Sequence, residues 1–235
     1  MPSVMRKLEK IYNSEIMVRT VCCRRRSFML AVLGMVLCVG ACLASKHFTM
    51  PSAHPAASYS AHDSHSNEAV TVGLDPYDAP EKANIFSVHY SEIGFLPIFV
   101  VITNDGDQPI SLADTKTQLV TRDRSKLDPA TNDDIYRRIS RPISSVSPNP
   151  LPWPKKPKGS ISKDAQDEIQ NSQFAAKAVE PHSTQSGFLF FDVSGIDNPL
   201  SGARFYLTGV RDAKGSELMY FEVPLDNSSN ASKPN

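Results

Sequence analysis

Cysteine is absent from this 235-residue chain after position 42. Nothing downstream can therefore form a disulfide, a cysteine-ligated zinc site, a thioredoxin-like redox pair or a thiol nucleophile. Any domain there is held by its core alone. Net charge is missing too, since 25 Lys and Arg balance 25 Asp and Glu. No strongly basic surface advertises nucleic acid, and no such partner is expected. Nor does the chain carry a Gly-x-Ser-x-Gly elbow, a Gly-rich phosphate loop, a His-Glu-x-x-His pair or a dinucleotide fingerprint. Enzymes with local signatures are disfavoured, so no catalytic residue, metal or cofactor is assigned. What remains open for catalysis is a site dispersed in sequence, which would need His89, His182 and acidic side chains to converge.

The neutral total hides a segregated distribution. Residues 1–26 carry seven basic side chains (Arg6, Lys7, Lys10, Arg19, Arg24, Arg25, Arg26) against Glu9 and Glu15, and the remainder is acidic. Directly after them, residues 28–44 form an uncharged apolar run of 17 residues. That length lies between the ~7–15 residues of a signal-peptide core and the ~20 of a spanning helix. A basic segment, an apolar run and a neutral-to-acidic remainder form the layout of a chain whose start stays cytoplasmic during export.

Within the run, Val39, Gly40, Ala41 and Cys42 are an aliphatic residue, two small residues and a cysteine. The segment resembles a bacterial lipoprotein signal, in which cleavage precedes a cysteine that is then lipidated. That resemblance implies Cys42 as the lipidated residue and membrane lipid as a partner; it covers about twenty residues, and valine is a less frequent first residue than leucine. Arg25-Arg26-Ser27-Phe28-Met29 also resembles a twin-arginine signal, although arginines before a signal core are explained by orientation alone. The stretch before Met17 is long for such a basic region, which makes Met17 an alternative start. Cys22 and Cys23 read as incidental cytosolic thiols.

Residues 45–80 are expected to be a disordered linker, because the Ser, Ala, His and Pro composition from 45 to 68 offers little apolar surface to offset ordering entropy. Twenty-four coil-like residues would span roughly 25–30 Å. A domain follows over 81–225, with residues 226–235 a disordered tail. Period-2 alternation and β-branched or aromatic runs predict strands over 84–90, 95–103, 116–121, 187–193, 203–210 and 217–224, with shorter extended structure near 109–112. Pro97 should sit at a strand start, an edge or a bulge. Asn104-Asp-Gly-Asp-Gln108 reads as a turn, with Asp105-Gly106 suited to positive backbone angles.

An insertion over about 128–182 interrupts the pattern. Residues 132–138 predict a short helix with acids first and arginines last. Six prolines surround Trp153 between 142 and 157, and Ser162 should cap a helix running to 179. Short strands, regular turns and one helical and Pro-rich insertion argue for an all-β, immunoglobulin-like β-sandwich. With Asn104-Asp-Gly-Asp107 and Asp192-Val-Ser-Gly195 closing two strands, it resembles sandwich domains of bacterial envelope lipoproteins of unassigned activity, a likeness that supplies no site.

Individual groups have plain explanations. His47, His54, His62 and His65 lie in the expected linker, where the His62-Asp-Ser-His65 spacing lacks pre-oriented support for a metal. Asp105-Gly-Asp107 lacks the other ligands of a calcium loop. Asp133, Asp134, Asp164, Asp167 and Glu168 suit helix starts. The remaining distinctive feature is basic side chains interleaved with proline and tryptophan: Arg137, Arg138, Arg141, Trp153, Lys155, Lys156 and Lys158. In an exported chain these could meet an anionic envelope polymer or an envelope protein. The Asn227-Ser-Ser and Asn230-Ala-Ser sequons matter only in a glycosylating host. The reading is a membrane-anchored cell-envelope protein, exposed on the periplasmic or extracellular side, presenting a non-catalytic binding or structural module. Its rivals are a single-span protein with residues 28–44 retained, and an exported hydrolase or metal protein.

Overall fold

The computed structural model describes residues 48–140 and 161–225, and the chain is mostly β. The strands are β1 (Ala61–His65), β2 (Val70–Pro76), β3 (Phe95–Asn104), β4 (Ile110–Ser111), β5 (Lys116–Val120), β6 (Lys126–Leu127), β7 (Ala178–Val179), β8 (Ser183–Asp192), β9 (Arg204–Thr208) and β10 (Phe221–Pro224). Helices are α1 (Pro80–Ala83), α2 (Asn132–Ser140) and α3 (Lys163–Ser172). Two four-stranded antiparallel sheets have the orders β1-β2-β3-β8 and β10-β9-β5-β6, and β4 pairs with β7.

β3 organises the domain. All ten of its residues are buried. Leu96, Ile98, Val100 and Ile102 join Val72, Leu74, Leu119, Phe205, Phe221 and Val223 in a core between the two sheets. On the opposite face, Phe95, Phe99 and Val101 meet Phe188, Phe190, Phe86, Tyr90, and Ile135 and Ile169 from the helices. The first sheet is covered on both sides, which is why the strand reads as a continuous apolar run rather than an alternation. Pro97 is accommodated in it because its carbonyl faces Tyr77, which donates its N–H at 2.9 Å, so the missing donor falls just where β2 has ended.

The linker expected over 45–80 is corrected here, because residues 61–65 and 70–76 are the paired strands β1 and β2. Composition hid them. Val70, Val72 and Leu74 already alternate inward, and β1 needs only Ala61, Asp63 and His65 on its inner side. Upstream, Ala56 donates its N–H to Thr103 Oγ1 at 2.8 Å, and Phe48 stacks on Phe86 with ring centroids 5.5 Å apart. The folded unit thus reaches back at least to Phe48.

The strand expected over 84–90 is also replaced. Pro80 opens α1, and a 3-10 turn at Tyr90–Ile93 ends in Gly94 with φ 79°, a left-handed closure. Phe86 and Tyr90 are one helical turn apart in sequence and point into the aromatic cluster instead of onto a strand face. Gly106 has no positive φ; Ala69, opposite it, does at 53°. The Ser162 cap is present, its Oγ accepting from Ala165 N, but α3 stops at Ser172 rather than 179. Gln173 is bridged to Phe188, and Phe174 donates its N–H to the Phe188 carbonyl at 3.0 Å, so pairing with β8 takes over. Leu225, at the end of the expected domain, is fully buried and donates its N–H to the Ala203 carbonyl.

Phe188 is fully buried among Tyr77, Phe86 and Phe99, whose ring centroids lie within about 5 Å of it. Phe188→Ala is expected to cost about 3–5 kcal/mol in urea unfolding. By contrast, Tyr220→Ala, at a site 52% exposed, should stay within about 0.5 kcal/mol. Equal losses would mean the aromatic cluster is not the centre of stability.

Candidate functional site

Two of the basic residues singled out in the sequence sit in the last turn of α2. The helix begins with a reciprocal cap in which Thr131 Oγ1 and N–H both donate to Asp134 Oδ2, while Asp134 N–H donates back to Thr131 Oγ1. Ile135, fully buried, fixes which side of the helix faces the first sheet. Arg137 then lies outward and pairs with Asp134 at 2.6 Å, and Arg138 turns inward. Arg138 pairs with Asp192, donates to Ser194 Oγ at 2.8 Å, and places its guanidinium 5.3 Å from the Phe95 ring centre. An open cleft of about 690 Å³ lies beside it, lined by Phe95, Asp128, Pro129, Arg138 and Asp192.

Of the seven residues in the basic-loop expectation, the described residues include Arg137 and Arg138. Arg138 is committed to an internal ion pair and an aromatic face, so it is not a free cation waiting for an anionic polymer. Arg141, Trp153, Lys155, Lys156 and Lys158 lie outside the described residues, as do Val39, Gly40, Ala41 and Cys42. Burial acts to raise the Asp192 pKa, but the Ser194 side-chain and backbone hydrogen bonds and the Arg138 charge outweigh it and hold the carboxyl below its ordinary range.

The remaining candidates are dispersed by the fold. His62 and His65 stand three positions apart on one strand, hence on opposite faces. His65 is no solvated linker residue. It stacks on Phe221 with ring centroids 4.1 Å apart, and its two ring nitrogens lie 2.9 Å from Glu68 and 3.4 Å from Asp63. Among the described residues, no group of three or more His, Cys, Asp or Glu is placed to hold a metal.

His182 pairs with Asp107 at 3.1 Å, beside the Asn104 end of β3. His89 precedes the 3-10 turn whose Tyr90 packs on Phe190, near the other end of that strand. Strand rise puts the two histidines on the order of 20 Å apart, so the convergence that a dispersed hydrolase site would need is not present. Asp105-Gly-Asp107 is a turn, organised by buried Asn104, which accepts from Gly106 N and donates to the Gln108 and Val179 carbonyls.

Glu168 is a residue the sequence reading misplaced. Rather than decorating a helix start, it is 2% exposed and accepts from Ser87 N at 2.7 Å, Val88 N at 3.3 Å and the Ser87 hydroxyl. Its signal was available, because Ala165, Glu168, Ile169 and Ser172 form one helical stripe. The carboxylate clamps the 84–93 loop to α3. Burial, then the Glu168 charge, push the Tyr90 phenol far above its ordinary value.

A surface the sequence reading missed altogether is the outer face of the second sheet. Register places Gln118, Tyr206 and Glu222 in one cross-strand row, with Lys116, Arg204 and Lys126 around it. Arg204 pairs with Glu222, and burial followed by the Glu222 carboxylate raises the Tyr206 pKa. Tyr220, half-exposed, lies 6.3 Å from Tyr206 between ring centroids, and Met219 beside it is 67% exposed. Alternating Arg204-Phe205-Tyr206-Leu207 could have revealed this face, since the two aliphatic and aromatic core positions leave arginine and tyrosine outward.

No helix among the described residues is long and apolar enough to cross a membrane. No protein-family model and no curated protein matches the chain. A solved structure from Bacillus subtilis subsp. subtilis str. 168, described as a "putative lipoprotein", is similar at 11% identity over 73% of this chain, with a TM-score of 0.33. This chain spans 40% of that one.

The depressed Asp192 pKa sets a sign. A carboxyl whose folded pKa lies below its unfolded value of about 3.9 contributes stability that is present above that value and lost as pH falls through the folded pKa. Asp192→Asn should therefore lower the urea midpoint at pH 7, and the gap from the parent should close in acid. A gap independent of pH would show that the charge on Asp192 is not what matters.

Proposed function

We propose that this chain is a membrane-anchored cell-envelope protein, lipidated at Cys42, whose exported domain is an immunoglobulin-type sandwich acting as a non-catalytic binding or structural module. Strand order supports the domain assignment. Taking β2, β3, β5, β6, β8, β9 and β10 as seven successive strands A, B, C, C′, E, F and G, the neighbours are A-B-E in one sheet and G-F-C-C′ in the other. That is the order of an immunoglobulin-type sandwich, with β1 added at the edge. Of the three helices, α2 and α3 fall between C′ and E, as an insertion covering the outer face of the A-B-E sheet, whereas α1 lies between A and B.

The observation that carries the anchoring is Val39-Gly40-Ala41-Cys42 near the end of the apolar run, with five residues between Cys42 and Phe48, which packs onto the folded unit. The basic residues up to Arg26 would keep the start of the chain on the cytoplasmic side while the neutral-to-acidic remainder is exported. A second reading, with residues 28–44 retained as a single span, draws on the 17-residue length of the run.

Mass spectrometry of the N-terminal peptide from membrane-purified protein separates these. A diacylglycerol-bearing Cys42 as first residue is expected, and Cys42→Ser should abolish both the lipid and the cleavage. An intact peptide spanning residues 24–44 in the parent protein would overturn lipidation in favour of the span.

A further inference from the structure

β1 and β10 belong to different sheets, and side chains join them where backbone pairing would join neighbours within one sheet. Asp63 Oδ2 accepts the Glu222 N–H at 2.9 Å, and Glu68 Oε1, from the turn after β1, accepts the Met219 N–H at 3.2 Å. Between these two carboxylates stands His65. Its Nδ1 lies 2.9 Å from Glu68 Oε2 and its Nε2 3.4 Å from Asp63 Oδ2, while the ring lies over Phe221 at 17° from parallel. The three polar side chains are only 20–28% exposed, so solvent screens them incompletely.

An ionised carboxylate accepts and does not donate, so each ring nitrogen needs a hydrogen to meet its partner. Neutral imidazole carries one. The shorter contact keeps it, on Nδ1 toward Glu68, and the Nε2 lone pair then faces the Asp63 oxygen with no proton between them. Imidazolium carries both, and both contacts become charge-assisted. Other charged groups nearby are engaged elsewhere: Glu222 of β10 pairs with Arg204 of β9, and His62, on the opposite face of β1, lies against the Tyr59 carbonyl. Phe221 contributes an uncharged ring.

We propose that His65 makes this seam a proton-dependent latch. With both nitrogens protonated, the ring holds Asp63 where it accepts the Glu222 N–H; with one proton lost, Asp63 is repelled and Glu222 released, while Glu68 stays joined to Met219. The closed seam thus holds a proton that the opened one gives up. Closure is favoured in acid and lost as pH rises through the range in which histidines change charge, about pH 5 to 8. Acid tightens the N-terminal hairpin onto the last strand.

Amide exchange of the full-length protein in detergent micelles, read by NMR as protection factors at about pH 5 and about pH 8, tests the latch. Protection at Glu222 is expected to fall about tenfold between the two, the worth of one hydrogen bond to a charged group, and protection at Met219 to change far less. His65→Gln removes the titrating ring. Asp63→Asn keeps an acceptor oxygen for the Glu222 N–H but removes the charge that answers to His65. Each should leave Glu222 protection insensitive to pH, and because they cut the contact from opposite ends, one folded variant is enough. Equal protection of Glu222 at both pH values in the parent, an equal fall at Met219, or a fall that persists in a folded variant would overturn the latch.

Discussion

The structure depends on a strand that has no exposed face and no free edge. β3 is paired over its whole length with β8 and over most of it with β2. Its alternate side chains supply both the core between the sheets and the aromatic core under the helices. In a domain without cysteine, these two apolar layers supply the stability that disulfides supply in smaller folds. Loss of a ring on either side is transmitted to the other through the same backbone, because close-packed interiors do not absorb a missing volume by flowing.

The borders of the first sheet are handled differently from its centre. β8 has its outer edge covered, since Ala130 donates to the Phe190 carbonyl and Phe174 to that of Phe188. Gly187 permits this approach, because a side chain there would collide with the Phe174 backbone. At the opposite border the outward N–H of Glu222 on β10 is taken by Asp63 of β1 at 2.9 Å. Covered or satisfied edges deny another chain a template for pairing.

Strands β3, β8 and β9 were legible from their aromatic and β-branched stretches, and the turn after β3 from the cluster that begins at Asn104. α2 was legible from its leading acids and trailing arginines, and α3 from the Ser162 cap that accepts from Ala165 N. β2 escaped because it was grouped with the polar stretch before it, although Val70, Val72 and Leu74 alternate inward. β1 turns Asp63 and His65 toward β10, so its alternation is invisible to a hydrophobic count. The 84–90 stretch has strand-like composition, yet Pro80 and the Glu168 clamp on Ser87 commit it to turns. Likewise Tyr206 and Arg204 were read as strand residues without regard to which side of the sheet they would occupy.

The seam between β1 and β10 joins nearly the first and last residues of the folded unit. Asp63 and Glu222 are 159 positions apart, and His65 stacks on Phe221 across the same gap. Closing a loop of that length costs about 4–5 kcal/mol of chain entropy, which only the finished sheets repay. A chain emerging from its N-terminus cannot complete this closure until its last strand arrives. Until then β1 lacks the partner side chains and backbone that its inward Asp63 and His65 meet in the finished fold.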